Sequence, residues 1–417
     1  MKVLFIHQNF PGQFKYLAPA LARRGDDVRA LGITGREVPG VRLRNYLVSR
    51  SNTKGVHPWA QEFEAKMLRG QACGEAMERL REDGFVPDLV VVHPGWGESL
   101  CIRDVFPEAR QLHFVEWYYR PYGSDVNYDD EFADPAFSPS QVRAKNAANL
   151  LALEEMDAGY APTIWQREQL PERDRHRVEV IHDGVNTAQL KPDRSATITF
   201  QRQQLSLGRD DELVTFVNRN LEPVRGWHVF ARSLPRLMAL RPRAHFAIIG
   251  DNKTSYGPSH GSGKSWREVM LAELGDRVDM DRIHFLGRIP YSALIRLFQA
   301  SSCHVYLTVP FVLSWSMLEA MAVEALVVAS DTPPVREVIE DGVNGLLTPF
   351  HDADALAERV ASVLAEPRRY ERIRTAARQT IVDRYDLAGH CLPRQVELVD
   401  RVARTEVSGA ISLPGRS

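Results

Sequence analysis

Cysteine is scarce. Cys73, Cys101, Cys303 and Cys391 are scattered with no C-x-x-C spacing, which argues against a zinc ribbon or a disulfide scaffold and for reduced thiols in a cytosolic protein. Long apolar runs are missing as well. No stretch approaches the roughly 18 residues of a membrane span, and the apolar start, Met1–Phe10, is too short for a signal peptide and reads as a strand. Neither sign of charge dominates: a formal net charge of −2 leaves no electrostatic footprint for nucleic acid. Internal repeats and low-complexity segments are also lacking. What is present is a 417-residue chain, 44% hydrophobic and 25% charged, the composition of a globular protein with room for two or three domains. The expected setting is the cytoplasm, with peripheral contact at the inner membrane face left open. The helix expected over Trp59–Leu80 mixes basic, apolar and acidic residues and reads as a domain-surface helix.

Strands and helices alternate through two successive halves. The first opens with a strand at Lys2–His7, a turn at Asn9–Gln13, a helix stopped by Gly25 and a strand at Asp27–Ile33, a βαβ unit that requires parallel pairing. Buried strands then end in two loops, a Gly-rich one within Pro87–Ser99 and an aromatic one within Gln111–Gly123. In open α/β sheets ligands bind outside such carboxyl ends. The second half restarts at Glu212–Asn220 and repeats the pattern through Ala244–Asp251, Arg282–Arg288, Tyr291–Ala300 and Cys303–Val309, which predicts a second Rossmann-like domain. The joint falls near Val180–Asp193.

The stretch Pro310–Asp331 carries the most chemistry. A helix begins in a Ser/Trp-rich turn, holds one acidic residue, Glu319, among apolar neighbours and runs into a buried strand. Glutamate is almost never buried without a partner. A helix N-terminus offers free N–H groups and partial positive charge to a phosphate, and a carboxylate just inside it can accept hydrogen bonds from ribose hydroxyls. That outlines a sugar-nucleotide pocket.

The runs LEAMAVEALVVASD and REVIEDGVNGLLTP (Arg336–Pro349) give this stretch a family resemblance. The chain resembles the donor site of the family 4 retaining glycosyltransferases, whose pattern reads roughly P-S-x-x-E-G-F-G, L-E-A-M-A-x-G, then E-V-I-x-D-G-x-N-G-L-L. The resemblance implies an α/β GT-B fold, two Rossmann-like domains facing a cleft with a C-terminal helix crossing back. On that plan residues 1–188, with a helix at about 386–404, form the acceptor domain and 189–385 the donor domain. The tail 405–417 is expected to be disordered. One departure stands out: the family's first Glu, eight residues before the second, falls on Phe311.

Breaking the bond between a sugar and a diphosphate puts negative charge on the leaving group, which needs fixed positive charge. Asp279–Met280–Asp281 precedes a strand in a charged lead-in and reads as a solvated face, so no metal and no cofactor is expected. Arg219 and Arg225, followed by Gly226 in VNRNLEPVRG, supply the alternative: guanidinium forks that grip a diphosphate and stay charged. The resemblance adds His93, in VVHPGWG, as a catalytic or acceptor-orienting group. It also adds Gly12, after Pro11, as a close backbone approach to the diphosphate. Arg288 and Ile289 are read as the base-reading backbone, and Ser314, Trp315 and Ser316 as the phosphate-binding turn, with Glu319 on the donor. The aromatic and acidic loop Glu116–Phe132 is the acceptor-site candidate, with Trp96, Glu116, Tyr118 and Tyr119 as contacts. GPSHGSGKS (Gly257–Ser265) lacks the first glycine and the strand context of a P-loop. It reads as a mobile insertion with Tyr256 and Lys264 as possible contacts. The expected activity is thus retaining, metal-independent transfer of a sugar from a nucleotide sugar to a hydroxyl acceptor on a glycan, a lipid-linked glycan or a small molecule. Phe311 supports one alternative, a catalytically silent nucleotide-binding partner of another transferase.

Overall fold

The structure is a computed structural model and describes residues 1–201 and 203–404. The tail expected to be disordered lies outside the described residues. The chain divides into two compact units. The first comprises Met1–Pro121, Ser138–Asp183 and the C-terminal segment from Cys391; the second comprises Tyr122–Phe137 and Gly184–His390. The breaks therefore fall at Asp183/Gly184 and His390/Cys391, a few residues from the expected 188/189 and 385/386. The segment Tyr122–Phe137, assigned from sequence to the first domain, belongs to the second unit.

Seven parallel strands build the first unit: β1 (Lys2–Ile6), β2 (Asp27–Gly32), β3 (Arg42–Asn45), β4 (Leu89–Val92), β5 (Arg110–Phe114), β6 (Ala158–Ala161) and β7 (Val178–Val180). Their order is β3-β2-β1-β4-β5-β6-β7, so the connection reverses direction beside β1 and β4. Alternation along β1 and β4 sends residues to two different cores. Val3, Phe5, Leu89 and Val91 pack with the helix Leu17–Arg24, whereas Leu4, Ile6, Val90 and Val92 pack with the helix Gln61–Glu82. A parallel sheet covered on both faces needs such continuous apolar strands. The helix Leu392–Arg404 closes the first core with Leu398, Val399 and Val402. Gln395 Nε2 donates to the His182 carbonyl (3.0 Å), and Arg24 Nη1 grips both Asp400 oxygens (2.7 and 2.9 Å).

In the second unit a small antiparallel hairpin, β8 (Thr197–Phe200) and β9 (Leu205–Gly208), precedes a six-stranded parallel sheet. The sheet contains β10 (Leu213–Asn220), β11 (His245–Asp251), β12 (Ile283–Gly287), β13 (Cys303–Tyr306), β14 (Val327–Ser330) and β15 (Leu346–Thr348), in the order β12-β11-β10-β13-β14-β15. Sequence alternation anticipated both sheets but neither the hairpin nor the short strands β3, β6, β7 and β15. Among the described residues no helix is long and apolar enough to cross a membrane.

Candidate functional site

In the first unit, β1, β4 and β5 deliver their loops to the same end of the sheet. His93 follows β4 and starts the turn Pro94–Trp96, where its Nδ1 accepts the Gly95 N–H (3.3 Å). An imidazole that accepts at Nδ1 carries its proton on Nε2, which lies 3.2 Å from Glu116 Oε2. The ring stacks on Trp96 at 4.0 Å and is buried. Glu116 Oε1 accepts from Gln13 Nε2 (2.9 Å), and Gln13 Oε1 lies 2.8 Å from His7 Nε2. His7 Nδ1 in turn accepts the Asn9 N–H (3.0 Å). A continuous polar line therefore joins His7, Gln13, Glu116 and His93. Burial, with His93 beside it, pushes the His7 imidazole down to about 3, so it is neutral. Burial alone would raise the Glu116 carboxyl, but the hydrogen bonds it accepts from His93 and Gln13 outweigh it and hold the group below its usual range.

Gly12 meets a steric limit set within the first unit itself. Its φ is +49°, and a Cβ there would lie 2.2 Å from His7 Nε2. Glycine is required because the buried imidazole occupies the space a side chain would need.

His93, Trp96, Glu116, Tyr118 and Tyr119 all line one pocket of about 80 Å³, together with Trp117 and the buried His113. The candidate acceptor residues are thus brought together. The remainder of the expected acceptor loop, Tyr122–Phe137, belongs to the second unit. Burial pushes His113 down to about 3, and its Nε2 lies 3.1 Å from Gln111 Oε1, which leaves the buried Nδ1 as an unused acceptor. Asn146 fixes the backbone of Tyr119 by bonding its N–H (3.0 Å) and carbonyl (2.8 Å).

In the second unit the two arginines differ. Arg219, near the end of β10, is exposed. Arg225 is 4% exposed, and its Nη1 donates to Thr308 Oγ1 and the Val312 carbonyl, 2.8 Å each. Both acceptors are neutral, so the charge is positioned without being neutralised. Gly226 fixes the turn with φ +66°, and a Cβ would meet Leu307 Cβ at 2.3 Å. Gly226→Ala is therefore expected to displace Arg225 and to lower turnover by about 10²-fold, the scale of an ångström-sized misplacement. Steady-state nucleotide release measures this, and a rate within twofold of wild type would disconnect the turn from the site.

Ser314 caps the helix Trp315–Ala322, its Oγ accepting the Ser316 N–H (3.4 Å), while its own N–H donates to the Tyr306 hydroxyl (2.8 Å). Glu319 is 8% exposed and accepts a hydrogen bond from the Tyr291 hydroxyl (2.7 Å). Tyr291 begins the helix after β12, so the partner that a buried glutamate demands comes from the neighbouring element. Arg288 is exposed and 3.3 Å from Asp251, and Ile289 packs on the core. Phe311 is buried beside Arg225.

Asp279 and Asp281 form a turn: Asp279 accepts the Asp281 N–H (3.0 Å) and pairs with Arg282 (3.0 Å). Among the described residues Asp129, Glu131 and His228 could share a metal ion. Their atoms are already engaged, His228 Nε2 at 2.9 Å from Asp129 Oδ2 and Glu131 in a two-pronged pair with Arg232 (2.6 and 2.7 Å). An arginine inside such a cluster favours an ion-pair network. Sequence reasoning missed His7, Gln13, Tyr291, Thr308 and Glu222. Only Glu222 carried a signal, as the one acid in the loop between the two arginines.

The sequence profile of the Glycosyl transferase family 4 group matches residues 24–190, and that of Glycosyl transferases group 1 matches residues 197–380. The D-inositol 3-phosphate glycosyltransferase of Kribbella flavida is 26% identical over 352 residues, 82% of this chain and 76% of that one. Its counterpart in a Nocardioides species is 28% identical over 386 residues, covering 80% and 79%. Among solved structures, sucrose-phosphate synthase from Thermosynechococcus elongatus superposes with a TM-score of 0.70 at 19% identity over 96% of this chain and 99% of that one. Anabaena HepE in complex with UDP-glucose gives 0.69 at 17% identity, covering 96% and 100%. These likenesses place the fold in the two-domain GT-B class.

Proposed function

Since the chain belongs to the family 4, group 1 glycosyltransferases and is a nucleotide-sugar-dependent transferase, we propose that it transfers the sugar with retention, without a metal, to an uncharged hydroxyl acceptor. The observation that carries this reading is Arg225, a buried, rigidly held cation whose partners are both neutral. Fixed charge placed where charge develops needs no reorganisation during the reaction. The diphosphate lies against Arg225 and the N-terminus of the helix Trp315–Ala322, with Arg219 as a second, mobile-ended cation and Glu319 on the ribose. Arg288 and Ile289 flank the base. As the bond from the anomeric carbon to the leaving phosphate oxygen breaks, the acceptor oxygen forms its bond on the same face. The acceptor proton passes to the phosphate oxygen that leaves.

The first unit's pocket receives the acceptor. Its aromatic walls suit a ring, and Glu116 and His113 Nδ1 accept hydroxyl protons. Glu116 holds His93 in the Nε2–H form, which orients the acceptor beside it. Among the described residues the lining contains no arginine or lysine, which favours a neutral polyol or sugar over a phosphorylated one like that in the names of the curated relatives.

Nucleotide release from UDP-, GDP-, ADP- and TDP-sugars, with neutral polyols and sugars as acceptors, tests the reading. One donor is expected to turn over at a rate unchanged by a chelator, and proton spectra of the product are expected to show the donor's anomeric configuration. Loss of activity in chelator with recovery on added Mg²⁺ or Mn²⁺, or an inverted product, would refute the corresponding part.

A further inference from the structure

The loop after β11 is anchored from below by a buried carboxylate. Glu222 is completely buried, and its Oε2 accepts three consecutive backbone amides, Ser255 (3.1 Å), Tyr256 (3.0 Å) and Gly257 (3.1 Å). The Trp266 indole adds a bond to the Pro258 carbonyl (3.0 Å), and Asn220 bonds the Ser255 hydroxyl. Removing a carboxylate from water is costly, and three converging N–H groups are what make it tolerable. The arrangement fixes the backbone of Tyr256 while its side chain stays 43% exposed.

That side chain stands over the proposed leaving-group cation. The Arg225 guanidinium carbon is 5.0 Å from the Tyr256 ring centre and 5.4 Å from that of Phe311. The two rings are 5.2 Å apart and tilted by 63°, so they meet edge to face and form one corner. Both distances to the guanidinium lie within cation–π range. An anion bound at Arg225 therefore has an aromatic corner immediately beside it, and among the described residues no carboxylate pairs with Arg225.

We propose that Tyr256 and Phe311 form the wall of the donor's sugar subsite and select a sugar with an apolar edge, a deoxyhexose. This rests on the reading that Arg225 holds the donor diphosphate. A hydroxyl pressed against Phe311 loses its water and gains no partner, whereas a C–H or methyl edge packs on both rings. Discrimination by such a wall is modest, about 10–200-fold, while a site built to bond a hydroxyl discriminates far more steeply.

The test compares binding and turnover for TDP, TDP-glucose and TDP-6-deoxyglucose, with the uridine series in parallel, on wild type, Tyr256→Ala, Tyr256→Phe and Phe311→Glu. For wild type the deoxy donor is expected to give the higher kcat/KM by at least tenfold. Tyr256→Ala is expected to weaken both sugar donors about tenfold and leave the bare nucleoside diphosphate unchanged, with Tyr256→Phe close to wild type. Phe311→Glu is expected to reverse the preference. Equal weakening of the bare diphosphate and the sugar donors by Tyr256→Ala would overturn the wall while leaving the diphosphate reading intact. So would a wild-type preference for the hydroxylated sugar. Failure of wild type to bind any nucleoside diphosphate would overturn the diphosphate reading itself, and the wall with it. Matching thermal midpoints for Tyr256→Phe and wild type separate these outcomes from misfolding.

Discussion

Arg225→Ala is expected to lower kcat by about 10²–10³-fold, the usual cost of removing one preorganised donor from a developing negative charge. The side chain is buried, its direction is fixed by Thr308 Oγ1 and the Val312 carbonyl, and among the described residues no carboxylate pairs with it. The diphosphate gains charge as it leaves, so the interaction is stronger in the transition state than in the bound donor. Turnover should therefore fall more than donor affinity. Arg225→Lys keeps the charge but loses the planar fork that spans two acceptors, and it should recover only part of the rate. Steady-state kinetics with the preferred donor decide the matter. A raised KM at unchanged kcat would mean that Arg225 binds donor and transition state equally, and the proposed role would fall.

Arg374→Ala is expected to cost the second unit about 3–5 kcal/mol, the combined scale of an unfilled buried volume and two carbonyls left without their donor. Arg374 is 1% exposed and donates to the Ser302 carbonyl (2.6 Å) and the Glu324 carbonyl (3.3 Å). Arg209 donates to the Val323 carbonyl (2.7 Å), and Arg378 to that of Ala322. Three arginines thus satisfy successive carbonyls at the end of the helix that carries Ser314 and Glu319, where cations also complement the helix dipole. The crowding has a cost of its own, since burial, with Arg209 nearby, pulls Arg374 down to about 10. Arg374→Met, which keeps most of the volume and removes the charge, should lose less than the alanine variant. Urea unfolding followed by tryptophan fluorescence measures both. A shift below about 1 kcal/mol for the alanine variant would show that these carbonyls find water or other partners instead.

The two halves were readable because strand and helix periods are local. Continuous apolar runs such as Val3–Ile6 and Leu89–Val92 specify covered parallel strands whatever lies elsewhere in the chain. Glu319 was legible as a residue that must have a partner, but Tyr291, 28 positions earlier, was not. Gly12 was rightly read as a place where a side chain cannot fit. A Cβ there would meet the His7 ring, a contact that spacing did not reveal. Arg219 and Arg225 look equivalent on paper, yet one is exposed and the other locked. The difference arises because Thr308 and Val312 approach from a strand end and loop more than 80 residues away.

Sequence alone determined the alternating architecture, the helix N-terminus at Ser314 and the buried acid at Glu319, because each depends on spacing within a few turns of chain. Tertiary structure decided the rest. It joined His7, Gln13, Glu116 and His93 across three strand ends, moved Tyr122–Phe137 into the second unit and set Tyr256 beside Phe311 over Arg225. Those groupings depend on which side chains share a cavity. Periodicity says which face a residue occupies, but not which neighbour it meets there.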